Sequence, residues 1–183
     1  MQDFQNTVNQ SIWGFEDDVV VTNTNGVYSF TTALGVLLSN TPTTLVPYTI
    51  PVPTDAQLLS AAQTTQVAAL TKSCANAVVG DYTSSALGSA YTYPSKITDQ
   101  INMMGSVTAS LVPGIASTWT TAFWCAPVST GVWAYTNHTA AQIQQAGLDG
   151  KTWILACQNK LATLSSQVAA ATTVAAAQAI VWV

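Results

Sequence analysis

From Ile143 to Val168, apolar or small residues recur at steps of four, three, four, three, four, three and four: Ile143, Gly147, Gly150, Ile154, Cys157, Leu161, Leu164 and Val168. This is the a/d repeat of a left-handed coiled coil or of a tightly packed helical hairpin. Thr139 stands as the N-cap and Gln142 lies three residues on, the arrangement of a capping box. The two glycines either let another backbone approach closely or break the helix. A seam of this kind needs a cover. The spacing does not choose among a dimer, a trimer and a self-packed hairpin.

A second helix is expected from about Asp55 to Val79, with Thr54 as N-cap and Gln57 completing a capping box. Leu59, Val67, Leu70, Cys74 and Ala77 form its stripe, and Gly80 is the expected C′ residue. That stripe is the self-packing alternative for covering the seam. Pro94 pushes Tyr93 out of helical geometry. A helix is expected from after Thr98 to about Leu111, stopped by Pro113-Gly114. Tyr82–Tyr93 reads as a short hairpin or an aromatic-bearing loop. Thr121–Ala126 and Gly131–Thr136 read as paired strands with a turn near Val128–Thr130. The end of the sequence, Ile180 to Val183, reads as an apolar, strand-like tail that needs covering.

The first fifty residues differ in character. Asn25-Gly26 lies between β-branched and aromatic runs, a strong hairpin signal. Strands are expected near Asp18–Thr22 and Val27–Thr31, with Leu34–Leu38 a third strand or a short helix. Phe4, Ile12, Trp13 and Phe15 supply large apolar groups to a stretch otherwise rich in Asn and Gln. Such a short β-element is marginal alone. It is expected either to dock on another protein or to fold back on its own C-terminal domain. Prolines 42, 47, 51 and 53 mark an extended connector. The fold class is therefore α+β. Residues 1–50 form a β-rich attachment segment, and residues 51–183 a helix-dominated domain with a small β-hairpin and a long final helix.

The segment Tyr91–Cys157 opens with YPSK-x-TDQ-x-N, continues with SVTASL-x-PG, and then carries WTT-x-FWC, GVWA and HTAAQIQQ-x-G-x-DGK. This order of motifs resembles a small domain of unknown chemistry found in tail proteins of bacteriophages and prophages. The resemblance implies a structural part of a virion tail, in a fibre, tail tip or baseplate region. Such a part works by assembly with other phage tail proteins after synthesis in the bacterial host cytoplasm. It also favours a trimer as the homo-oligomer. The assembly interface is expected to use Phe4, Ile12, Trp13, Phe15, Ile154, Leu161, Leu164 and Val168. The alternative is a host-attachment module that recognises a surface glycan or protein receptor. A third option is a fibre-assembly chaperone.

Composition agrees with an assembly role. Only 7% of residues are charged, well below the usual quarter of a soluble domain. With four lysines, no arginine and a net charge of −4, there is no basic footprint for nucleic acid. No apolar run suffices for a membrane span, and MQDFQNTVNQ is not a secretory signal. Cys74, Cys125 and Cys157 read as buried thiols acting as small hydrophobes, with a disulfide the alternative. Their spacing with the lone His138 offers no zinc site, and no metal or cofactor is expected.

No nucleophile–base pair stands out, and a non-enzymatic protein is expected. His138 reads as a cap or turn residue. Glu16, Asp17 and Asp18 read as a solvated turn, since strand neighbours alternate faces. Asp149-Gly150-Lys151 lacks phosphate-loop spacing. The six tryptophans, at 13, 119, 124, 133, 153 and 182, invite a carbohydrate-binding reading. Core packing is the expectation for Trp124, Trp133 and Trp153.

Overall fold

A computed structural model describes residues 1–183 as two compact units, Met1–Thr54 and Asp55–Val183. The chain is α+β, with strands alone in the first unit and the long helices in the second. The boundary falls four residues beyond the one read from the prolines.

The first unit holds β1 (Gln2–Asn6), β2 (Ile12–Phe15), β3 (Val20–Thr24), β4 (Val27–Thr31) and β5 (Leu45–Pro47). Strands β2, β1 and β5 form one antiparallel sheet in that order, and β3 and β4 form a separate hairpin. Thr24 pairs with Val27 across Asn25-Gly26. Both turn residues have positive φ, 54° and 86°, as a two-residue type I′ turn requires. The proline-rich stretch supplies β5 as an edge strand, where a missing N–H is tolerated. Leu34–Leu38 is neither strand nor helix. Gly35 turns the chain at φ 80°, and only Leu37 bridges back to Thr31.

Phe4, Phe15, Phe30 and Leu45 form the core of this unit. Phe15 stacks on Phe30 at 4.1 Å, and Phe4 meets Phe30 edge-on at 4.8 Å. Strands β1, β2, β4 and β5 each give one buried group, and Trp13, Val21 and Tyr28 pack against them.

The second unit contains α1 (Asp55–Val78), β6 (Tyr82–Ser84), β7 (Tyr91–Tyr93), α2 (Ile97–Ser110), β8 (Thr120–Pro127), β9 (Ala134–Thr139), α3 (Ala140–Ala170) and α4 (Val174–Gln178). The small hairpin of the sequence reading is part of a four-stranded antiparallel sheet, β6-β7-β8-β9. Helix α3 starts where its capping box indicates: the Gln142 N–H reaches Thr139 Oγ1, and Thr139 N–H reaches Gln142 Oε1. Helix α2 starts at Ile97, earlier than expected, where Asp99 accepts the Lys96 N–H at 3.1 Å. Gly80 ends α1 without entering the left-handed region; its N–H bonds to Ala77 O instead.

Helix α3 is the spine, and it serves two cores. Its first half packs Ile143 and Ala146 against Tyr82, Tyr93, Met103, Phe123 and Cys125. Its second half packs Val168 against Leu70 of α1 and Ala177 of α4, with Leu161, Leu164, Leu59 and Val67 around them. Helices α1 and α3 run antiparallel: Gln63 bonds to Val168 O and Ala171 O, Cys74 lies by Cys157 O, and Trp153 Nε1 bonds to Ala77 O.

The glycines on the seam do not break the helix. They admit close neighbours. A Cβ at Gly147 would lie 2.8 Å from Val107 Cγ2, and one at Gly150 would lie 2.9 Å from Tyr82 Cζ. The end of the sequence is not a strand. Residues 171–183 form α4 and a short extension, held by Gln66 Nε2 on Ile180 O at 2.6 Å. Ile180 and Trp182 close over the second core. No helix is long and apolar enough to cross a membrane.

Candidate functional site

The expected assembly residues are largely committed inside the chain. Phe4 and Phe15 are buried in the first unit's own core, so they are not free to anchor a partner. Trp13 is half-buried beside them, and Ile12 alone of the four is exposed. On the seam, Val168 is fully buried, and Leu161 and Leu164 pack on the same cluster. Here α1 and α4 take the place expected for a second or third copy. The sequence announced that the seam needs a cover but not which chain supplies it. Ile154 differs, because it lies half-buried in the wall of a surface groove.

The polar chemistry of the second unit is buried and structural. His138 lies on β9, not in a turn, and is fully buried. Its Nδ1 lies 2.8 Å from Thr136 O. A carbonyl only accepts, so Nδ1 carries the proton and Nε2 of the neutral ring accepts from Tyr93 Oη at 2.8 Å. Burial lowers the His138 pKa below its ordinary value and raises that of the Cys125 thiol, which lies against Tyr93. Burial likewise raises the Tyr93 and Tyr82 phenols. Cys125, Tyr93 and His138 thus sit together as a thiol, a phenol and a neutral imidazole. Each is held in its uncharged form and sealed under the sheet. All three cysteines are free and buried. No three His, Cys, Asp or Glu side chains come together as a metal-ligand set.

The Asp149-Gly150-Lys151 run has a local task that its spacing did not reveal. Asp149 accepts Ser84 Oγ at 2.5 Å and Gln145 Nε2 at 2.8 Å. Gly150 makes room for the Tyr82 ring, whose hydroxyl donates to Ala146 O at 2.9 Å. Together they lock β6 onto α3.

Two surface grooves flank α2. The first lies between α2 and α3, has a volume of about 450 Å³, and is lined by Ile97, Ile101, Met103, Met104, Val107 and Ile154 among others. Ile97, Ile101, Met104 and Leu111 are 57–68% exposed, an apolar stripe at helical spacing on the outside of the molecule. The second groove, of about 790 Å³, runs between Asp99, Asn102, Gly105, Ser106 and Ala109 of α2 and the β8–β9 hairpin.

The hairpin wall of the second groove is aromatic. On β8, Phe123 and Cys125 point inward, so Trp124 must point out. Trp124 pairs across the strands with Tyr135. They are 40% and 74% exposed. Their rings lie 5.0 Å apart at 60°, while Trp133 stacks near-parallel on Trp124 at 6.3 Å. The expectation that Trp124 packs in the core is therefore corrected. Trp153 is also partly exposed, whereas Trp119 packs against the buried cluster.

The second unit is thus an α+β domain with a buried polar cluster and exposed apolar and aromatic grooves. Residues 55–181 match the family model described as a domain of unknown function, DUF4376, so the chain belongs to that family. No curated protein and no solved structure matches the chain.

Proposed function

We propose that this chain is a structural component of a bacteriophage tail, in a fibre, tail tip or baseplate region. It works by assembly with other tail proteins rather than by catalysis. The motif order in Tyr91–Cys157 supplies the tail setting. The observation that carries the assembly reading is the exposed apolar stripe of Ile97, Ile101 and Met104 on α2, continued by Leu111 at its C-cap. Exposed apolar surface arranged as a contiguous helical face, in a chain with only 7% charged residues, marks an interaction surface. The α1–α3 seam is buried within the chain, so a homo-oligomer, trimeric or otherwise, would use another surface, and the α2 face is the one favoured here.

Two measurements test this. Mass spectrometry of purified tailed particles from the strain that encodes the chain should find it at stoichiometric level. Absence from particles sinks the structural reading and leaves the assembly chaperone in its place. Met104→Lys should fold normally, because the side chain is exposed, and should fail to enter particles. Normal incorporation of that variant places the assembly contact elsewhere.

A further inference from the structure

The groove between α2 and the β8–β9 hairpin has a chemistry that assembly does not account for. Its hairpin wall presents Trp124 and Tyr135, and its helical wall presents a carboxylate from Asp99, an amide from Asn102 and a hydroxyl from Ser106, with the apolar side chain of Ile101 beside them. The aromatic rings are cross-strand partners fixed by the ladder, and Trp124 is further braced by Trp133. Rings held this way lose little side-chain freedom on binding. Gly105 and Ala109 keep the opposite wall low. None of the four lysines lines the groove, so it offers nothing to phosphate, sulfate or a carboxylate ligand. One Asp99 oxygen is taken up by the Lys96 N–H at the start of α2; a purely aliphatic occupant would cover the other Asp99 oxygen and the Asn102 amide without pairing them, at a cost. A neutral ligand with both an apolar C–H face and a rim of hydroxyl groups satisfies both walls. That is the description of a pyranose ring. The volume, about 790 Å³, falls in the ordinary range for a small-molecule site.

We propose that this groove binds a neutral saccharide. Trp124 and Tyr135 stack on pyranose faces. Asp99 accepts from sugar hydroxyls, and Asn102 and Ser106 exchange hydrogen bonds with them. Trp133 is a positioning residue that holds the Trp124 ring. The proposal rests on the groove alone and does not require the tail assignment.

The test uses the full chain on a printed glycan array, as wild type, Trp124→Ala and Tyr135→Ala, followed by calorimetric titration of the best-retained glycan. Losing one stacking ring should weaken binding on the order of tenfold or more. Tyr135 is 74% exposed, so its variant should keep the wild-type unfolding midpoint even if Trp124→Ala does not. The proposal is overturned if the wild type retains no glycan above the Tyr135→Ala background, or if both variants bind as tightly as the wild type. It is also overturned if light scattering shows that Tyr135→Ala converts a dimer into a monomer, because the face would then be filled by a second copy of the chain.

Discussion

Gly150→Ala isolates the contact that fixes the sheet to the spine helix. Alanine is the better helix former, and that difference alone would stabilise α3 by roughly 0.5–1 kcal/mol. The new methyl, however, would sit 2.9 Å from Tyr82 Cζ and 3.1 Å from Tyr82 Oη. The ring cannot swing away freely. It is buried, stacks on Tyr93 at 5.5 Å, and donates its hydroxyl to Ala146 O at 2.9 Å. Overpacking of this kind costs about 1–3 kcal/mol, and stranding the buried hydroxyl costs a further ~1–3 kcal/mol if the hydrogen bond breaks. With the hydrogen bond lost, repulsion outweighs propensity, and the variant should lose about 1–5 kcal/mol net.

Thermal unfolding followed by circular dichroism should show a midpoint lowered by roughly 5–10 °C. Gly105→Ala is the matched control. It is also a helical glycine, but a Cβ there meets nothing within 4 Å, so that variant should gain about 0.5–1 kcal/mol. Tyr82→Phe should cost less in the Gly150→Ala background than in the wild type, because the hydroxyl bond is already lost there. A Gly150→Ala midpoint at or above the wild type would refute the argument that Gly150 exists to admit Tyr82.

Other expectations concern the buried polar groups and the unit boundary. Since burial lowers the His138 pKa from its ordinary 6.5, the unfolded chain binds more protons below that pH. Stability should therefore fall as pH drops below about 6.5, by no more than ~1.4 kcal/mol per pH unit from this group. Denaturant midpoints at pH 7.5, 6 and 5 check this against Tyr93→Phe, which leaves Nε2 without its donor and should cost about 1–3 kcal/mol at neutral pH. All three thiols are buried, and those of Cys125 and Cys157 are pushed up by burial. A chromogenic disulfide reagent at pH 7.5 should react slowly with the native protein and rapidly with three thiols in denaturant. The second unit carries its own two cores, so residues 55–183 alone should unfold cooperatively with the helical signal intact.

What the sequence announced depended on how local the determinant was. Helix α3 was legible because a capping box, a long periodic stripe and the absence of proline all agree over one continuous segment. The Asn25-Gly26 turn was legible because only a few residue pairs tolerate two positive φ angles. Strands β1 and β2 were not: Gln2–Asn6 has Phe4 as its one apolar side chain, and Ile12–Phe15 is four residues long with neighbouring Ile12 and Trp13 both apolar and a glycine after them, so neither shows an alternation. The cover of the α3 seam was out of reach for a different reason. A heptad repeat states that a partner exists, while Leu70, Gln63 and Gln66 become that partner only through a chain reversal of many residues. For Trp124 a signal was present and misread. Phe123 and Trp124 are neighbours on a strand, so one of the two large rings had to face away from the core.

Helix α2 has more exposed apolar surface than its structural duty explains. Met103 and Ser110 are buried, with Val107 half-buried beside them, and that face suffices to dock it on α3. Ile97, Ile101, Met104 and Leu111 lie outside it, and Asn102, Ser106 and Ala109 line the aromatic groove. The helix therefore presents two chemically different surfaces, one apolar and one mixed, which share Asp99 and Ile101 at their border. Met104 belongs to the first groove only, and Tyr135 to the second only. If the surfaces serve separate partners, Met104→Lys should abolish incorporation into particles while leaving glycan-array retention intact. Tyr135→Ala should do the reverse. Both variants should keep the wild-type unfolding midpoint to within about 0.5 kcal/mol of stability, as expected for exposed positions. Loss of both activities in both variants would mean that α2 carries one continuous contact surface, and the division into an assembly face and a saccharide site would be wrong.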